Sequence, residues 1–132
     1  MTKEDKDLLI KDLCARLPYG VWIEQKLKSC KFGSKCMLHA YDIDAIKREQ
    51  YNFYKPYLFP LSSMTEEQKE EFRNKFDIDI DISKIFNGID FCGSISFRTI
   101  SEIIDWLNKN HFDYRYLIER GLALDATGLN IY

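Results

Sequence analysis

His111 lies in a dense run of polar and aromatic residues that could carry acid–base chemistry. An imidazole with a nearby carboxylate can act as a general base. The candidate polar site comprises His111, Asp113, Tyr114 and Arg115. These residues could also have a purely structural role. Asp113 can cap a helix, and a histidine at a helix C-terminus interacts favourably with the helix dipole. The sequence favours the structural role and contains no serine-hydrolase, zinc-protease, P-loop or dinucleotide-binding motif. We therefore predict no enzymatic activity.

A lysine-rich segment without acidic residues extends from Lys26 to Ala40. On a hairpin its lysines could contact phosphates, and Phe32 could stack on a base. The candidate nucleic-acid-binding residues are Lys26, Lys28, Lys31, Phe32 and Lys35. A solvated turn is the simpler interpretation, because the segment lacks the arginines that read base edges. The formal net charge of -2 also excludes a global basic field.

Cys30, Cys36 and His39 have side chains that bind zinc, but their C-x5-C-x2-H spacing is not that of a zinc knuckle. A fourth ligand would have to come from Cys14 or Cys92, which lie in segments of other character. We expect all four cysteines to be reduced thiols and no zinc to be bound.

Asp77, Asp79 and Asp81 resemble the start of a calcium-binding loop. Such a loop needs glycine at its sixth position and glutamate at its twelfth, where this sequence has Ile82 and Gly88. The isoleucines between the aspartates favour a strand instead. The sequence predicts no metal site and no cofactor.

The chain has 132 residues, 45% of them hydrophobic, 14% aromatic and 30% charged. This length and composition predict one globular domain over residues 1–132 and exclude a disordered chain or a small disulfide scaffold. The sequence shows no apolar run of the length of a signal peptide or a membrane span. We expect a cytoplasmic protein that does not associate with membranes.

Capping signals and apolar periodicity predict the helices. Thr2 and Thr65 are expected N-caps for helices over residues 3–16 and 66–75. A third helix is expected from a capping box at Thr99 to about Asn110, with an apolar stripe at helical spacing. Asp113 should cap a short last helix that ends at Gly121.

The expected strands are short. Residues 21–27 and 35–43 are predicted to pair through a turn at 28–34, and residues 44–51 are ambiguous. Pro56 and Pro60 allow at most an edge strand or an extended connection over residues 53–61. Asn87-Gly88 predicts a second hairpin, which would place Ile80 opposite Ile95. Together the elements predict an α+β fold, with a small, mostly antiparallel sheet and helices packed on one face.

Three segments, at 12–21 (DLCARLPYGV), 55–65 (KPYLFPLSSMT) and 105–124 (with DWLNKNHFDYR), carry a resemblance to a family. The chain resembles small proteins of anaerobic gut bacteria and their phages or mobile elements. That family has no assigned activity, so the resemblance implies a cytoplasmic setting linked to a phage or mobile element and supplies no catalytic residues.

Three functional hypotheses follow from the sequence. The first is a non-enzymatic accessory or protein-interaction protein. The alternative is a nucleic-acid-associated regulatory module that uses the hairpin between Lys26 and Lys35. The third is an enzyme centred on His111 and Asp113. The oligomeric state does not follow from the sequence.

Overall fold

The computed structural model describes residues 1–27, 32–76 and 97–132. These residues form four α-helices and a five-stranded sheet, which confirms the predicted α+β fold. The helices are α1 (Lys3–Arg16), α2 (Ala40–Lys47), α3 (Glu66–Phe76) and α4 (Phe97–Lys109). The strands are β1 (Trp22–Leu27), β2 (Ser34–Met37), β3 (Tyr51–Pro60), β4 (Phe112–Asp113) and β5 (Leu124–Asp125). The predicted hairpin with Ile80 opposite Ile95 lies outside the described residues.

The sheet is mostly antiparallel, as predicted. β1 pairs antiparallel with β2 on one side and with β3 on the other, and Ile23 lies opposite both Cys36 and Pro56. The two short strands β4 and β5 add in parallel to the C-terminal half of β3. The predicted antiparallel pairing between residues 21–27 and residues 35–43 is therefore present in β1 and β2.

β3 corrects the prediction for residues 53–61, because it is an inner strand despite its two prolines. Pro56 lies opposite Ile23 of β1, and the second neighbour of β3 begins only at Tyr57. Within the described residues, Pro56 thus has a paired neighbour on one side only, which tolerates a missing backbone donor. Pro60 is the last residue of the strand, where fewer ladder bonds are required.

α2 corrects the prediction of a long returning strand over residues 35–43. β2 ends at Met37, and α2 begins at Ala40. The carboxylate of Asp42 accepts the backbone amide of His39 at 2.8 Å, which satisfies a donor at the helix N-terminus. Ile43 and Ile46 then fall on the buried face at helical spacing.

Two hydrophobic clusters hold the described elements together. In the first, α1 and α2 pack on the sheet face that carries Ile23, Tyr54 and Leu58. The second cluster joins α3, α4 and β4, and its buried members are Met64, Phe72, Phe76, Ile103, Trp106, Leu107, Phe112 and Tyr114. In the described parts of the chain, no helix combines the length and apolarity needed to cross a bilayer.

Two of the predicted N-caps are confirmed. The hydroxyl of Thr2 accepts the amide of Asp5 at 3.1 Å, and the hydroxyl of Thr65 accepts the amide of Gln68 at 3.2 Å. Thr99, by contrast, lies within the first turns of α4, because that helix already includes Phe97. The capping box at Thr99 therefore does not mark the start of the helix.

The predicted helix after Asp113 does not form. Residues 117–121 make successive hydrogen-bonded turns instead, and Gly121 ends them with a φ of 73°. The left-handed φ of 59° at Tyr116 is incompatible with a helix that runs on from Asp113. Asp113 keeps the capping role that was predicted for it, but it caps a turn.

Candidate functional site

A buried ion pair on the last turn of α1 organises the polar residues of the chain. Asp12 and Arg16 are both fully buried. Arg16 donates from Nε to Asp12 Oδ2 at 2.7 Å and from Nη2 to Asp12 Oδ1 at 3.1 Å. Nη2 also donates to the carbonyl oxygen of Phe112 at 2.8 Å, which ties α1 to β4. The guanidinium is therefore held rigidly by charge-assisted hydrogen bonds.

A second arginine reaches the same carboxylate. The Nη1 atom of Arg115 lies 3.7 Å from Asp12 Oδ1, and the Arg115 side chain is 19% exposed. The ring of Tyr114 contacts both guanidinium groups, with its centroid 5.3 Å from the Cζ atom of Arg16 and 5.1 Å from that of Arg115. Two cations thus share one carboxylate and one aromatic ring.

His111 borders this group and is held neutral. Burial, followed by the charge of Arg16, lowers the pKa of His111 from its usual 6.5 to about 4. Its ring stacks on the ring of Tyr132, with centroids 3.6 Å apart. The hydroxyl of Tyr132 in turn accepts the backbone amide of Trp22 and donates to the carbonyl of Tyr57. His111 is therefore a neutral imidazole enclosed between charged and aromatic groups.

The Asp113 carboxylate is bonded to the backbone and not to His111. Its two carboxylate oxygens accept the backbone amides of Leu117 and Ile118, each at 2.9 Å. Among the described residues His111 Nδ1 has no hydrogen-bond partner. The structure thus brings the two residues into one segment without forming the imidazole–carboxylate pair that a general base requires.

The side chain of Asn108 adjoins the same group, because its amide interacts with the Tyr114 hydroxyl. We use the name arginine cluster for Asp12, Arg16, Asn108, His111, Tyr114 and Arg115. Three of these residues, His111, Tyr114 and Arg115, belong to the polar site predicted from the sequence. Asp12, Arg16 and Asn108 were not predicted. Asp12 and Arg16 could have been found, because they occupy the same helical stripe as Leu9 and Leu13, where charged residues are rare.

The sheet face that α1 and α2 leave uncovered carries a second group of candidate residues. Cross-strand pairing places Glu24 opposite Lys35 of β2 and Lys55 of β3, and Lys26 opposite Phe53. Met37 of β2 and Phe59 of β3 also lie on this side of the sheet. We use the name basic face for the other residues on this side of β1, β2 and β3: Trp22, Glu24, Lys26, Lys35, Phe53, Lys55 and Tyr57.

Lysines and aromatic rings are in contact on the basic face. The ammonium of Lys35 lies 5.7 Å from the ring centroid of Trp22, and that of Lys55 lies 4.8 Å from the ring centroid of Phe53. The hydroxyl of Tyr57 donates to Glu24 Oε2 at 2.6 Å. Burial, together with this bond to a carboxylate, raises the pKa of Tyr57 to about 12.

Three of the five predicted nucleic-acid-binding residues are described. Lys26 and Lys35 lie on the basic face, and Phe32 is 85% exposed in the connection between β1 and β2. Lys28 and Lys31 lie outside the described residues. The aromatic residues and Lys55 were missed, because their approach to the hairpin depends on the long-range pairing of β3.

Cys14 and Cys36 are free thiols, exposed and half-buried respectively, and burial raises the pKa of Cys36. Within residues 1–27, 32–76 and 97–132, no group of three or more histidine, cysteine or acidic side chains could hold a metal ion. Cys30, Cys92 and the aspartates of the calcium-like motif lie outside the described residues.

Comparisons of the chain with protein-family models, with curated proteins and with solved structures found no match.

Proposed function

We propose that this chain is a non-catalytic binding protein and that its basic face binds single-stranded nucleic acid. The observation that carries the proposal is the alternation of lysines and aromatic rings on one side of the β1–β2–β3 sheet. Lys35 and Lys55 each lie against an aromatic ring. Phosphate contacts and base stacking can thus be made from adjacent positions.

The chemistry of the basic face favours single strands over duplexes. Aromatic side chains on a sheet stack on bases that are not already stacked in a helix, and each such base contributes about 1–3 kcal/mol. Trp22, Phe53 and Tyr57 are half-buried, so their rings are held in place before binding. The described part of the basic face carries lysines and no arginine, which favours contacts with phosphates over the reading of base edges.

Glu24 is the one acidic residue of the basic face, and its surroundings offset its charge. It lies across from Lys35 and Lys55 and accepts the Tyr57 hydroxyl. Three lysines against one carboxylate leave this surface positive in a chain whose net charge is -2. The charge asymmetry supports attraction of a polyanion to this face.

The first hypothesis from the sequence is a protein-interaction protein. It differs from the present proposal in the class of partner, which would be a protein and not a nucleic acid. A protein partner of matching chemistry would be an acidic peptide. The cytoplasmic location and the link to a phage or mobile element stay predictions from the sequence and its resemblance.

Fluorescence anisotropy of a labelled oligothymidylate over a salt series tests the proposal. We expect the logarithm of the association constant to fall linearly with the logarithm of the salt concentration, with a slope of about -0.7 per phosphate neutralised. The double variant Lys35→Gln and Lys55→Gln should lower the magnitude of that slope by about 1.4, since two phosphate contacts are lost. Phe32→Ala should weaken binding at every salt concentration and leave the slope unchanged.

Lys109→Gln is the matched control, because Lys109 is an exposed lysine of α4 outside the basic face. It should bind as the wild type does. Equal binding by the double lysine variant and the wild type would contradict the proposal. So would binding of a polyglutamate peptide in preference to the oligonucleotide, which would instead support the protein-interaction hypothesis.

A further inference from the structure

The arginine cluster contains more hydrogen-bond donors than its own residues use. Arg16 is fully buried, yet its Nη1 atom has no hydrogen-bond partner among the described residues. The Nη1 atom of Arg115 is also buried and without a hydrogen bond, because its contact with Asp12 at 3.7 Å is too long. Buried polar groups are nearly always paired, so these atoms need an explanation.

The arginine cluster also has more positive than negative charge. Asp12 is the only carboxylate that contacts either guanidinium in the part of the chain that the structure describes. Asp113 is adjacent in sequence, but both of its oxygens are taken by backbone amides. His111 adds no charge to the cluster, because burial, followed by the charge of Arg16, lowers its pKa to about 4.

We propose that the arginine cluster binds a small oxyanion, a carboxylate or a phosphate group, through the guanidinium groups of Arg16 and Arg115. Arginine presents its donors in a planar fork that matches such groups. Arg16 is already immobilised by Asp12 and by the carbonyl of Phe112, so little side-chain entropy is lost on binding. Neither arginine belongs to the basic face, and the inference does not depend on nucleic-acid binding.

Two hydrogen-bond acceptors of the arginine cluster distinguish between oxyanions. Asn108 is 2% exposed and its Oδ1 atom has no hydrogen-bond partner among the described residues, and the same holds for His111 Nδ1. A neutral imidazole accepts a hydrogen bond at the ring nitrogen that carries no proton, and an amide oxygen accepts but never donates. A ligand that carries a hydroxyl, such as monohydrogen phosphate, can donate to one of these acceptors, whereas acetate cannot. We therefore expect phosphate to bind more tightly than acetate.

Arg115 is the side chain through which a ligand would enter. It is the arginine with access to solvent, at 19% exposure against none for Arg16. Its ion pair with Asp12 is longer than a hydrogen bond, and residues 114–116 have no helical or strand pairing. Arg115 can thus shift towards solvent more readily than the fully buried Arg16.

Thermal unfolding in sodium phosphate, sodium acetate and sodium chloride at equal ionic strength tests the proposal. We expect a saturable rise in Tm with phosphate, a smaller one with acetate and none with chloride beyond the general salt effect. Arg115→Gln should weaken phosphate binding at least about tenfold, because a charge-assisted pair of hydrogen bonds is lost. Arg115→Lys keeps the charge without the fork and should lie between the wild type and Arg115→Gln.

Arg120→Gln is the matched control, because Arg120 is a half-exposed arginine that pairs with Asp5 away from the cluster. It should retain the full phosphate response. Phosphate also stabilises proteins by exclusion from their surface, and that effect would raise the Tm of all variants alike. An equal response in the wild type and in both Arg115 variants would overturn the proposal, as would calorimetric titration of the wild type with inorganic phosphate that shows no heat of binding.

Discussion

Asp12 and Arg16 form an ion pair that is enclosed by protein on all sides, with neither side chain exposed. Asp44 of α2 and Arg48, the residue that follows this helix, have the same spacing and a distance of 2.6 Å, yet each is 61% exposed. The two pairs thus share their sequence spacing and a short contact distance, and they differ in the burial of their side chains. The free energy that each pair contributes should differ accordingly, because an uncompensated charge is costly only away from water.

Asp12→Ala should lower the free energy of unfolding by about 3–5 kcal/mol, because it leaves the Arg16 guanidinium buried with no counter-charge. Asp44→Ala removes an exposed pair of the same spacing and should cost less than about 1 kcal/mol. Urea unfolding followed by circular dichroism measures both values. Similar losses in the two variants would show that the buried pair has no special role.

Asp113→Ala should cost more than a surface helix cap. Both of its oxygens accept backbone amides in a largely buried setting, and hydrogen bonds to a charged group contribute about 1.5–3 kcal/mol. We expect a loss of about 2–3 kcal/mol, with Asp113→Asn in between, because the amide keeps one acceptor oxygen.

Asp125→Ala is the control for Asp113, since the exposed Asp125 also accepts a backbone amide, that of Thr127 at 2.8 Å. It should change stability by about 0.5 kcal/mol, as is usual for surface positions. A loss from Asp113→Ala no larger than that from Asp125→Ala would contradict a role for Asp113 in ordering residues 117–118.

Leu107→Ala should cost about 2–5 kcal/mol, because it opens a cavity in the second hydrophobic cluster. Leu107 is fully buried on α4 beside Trp106 and Phe112. Leu129→Ala changes the same side chain at a position that is 50% exposed, and it should stay within about 0.5 kcal/mol of the wild type. The denaturant midpoints of the two variants measure this difference in stability. Equal midpoints would contradict a role for Leu107 in the core.

His111 should make stability depend on pH between about 4 and 6.5. Its pKa is lowered on folding, so in this range the unfolded chain binds a proton that the folded chain does not. The free energy of unfolding should therefore fall as the pH is lowered from 6.5 towards 4. Above pH 6.5 the titration of His111 should add no pH dependence. After allowance for partial solvent access, we expect a contribution on the order of 2 kcal/mol.

His111→Asn isolates this contribution, because asparagine does not titrate and tolerates the left-handed φ of 63° at this position. The difference in unfolding free energy between wild type and variant should vary with pH over this range and be constant above it. A constant difference throughout would mean that the imidazole titrates alike in both states.

Local chemistry determined the elements that the sequence predicts well. Thr2 and Thr65 satisfy the first helical amides from their own helices, and this needs nothing distant in the chain. The apolar stripe of α4 likewise indicated its buried side, since Ile103 and Leu107 are fully buried. Asp113 was correctly identified as a cap for the same reason.

Tertiary structure alone decided the inner position of β3 and the assembly of both candidate sites. Pro56 is tolerated because it pairs with β1 on one side, while β5 pairs with β3 on the other side only from Tyr57 onwards. Both partner strands lie far from Pro56 in the sequence. Arg16 meets the carbonyl of Phe112 across 96 positions of sequence. The sequence determines which side chains carry charge, but burial changes their energies, and burial is set by contacts between distant segments.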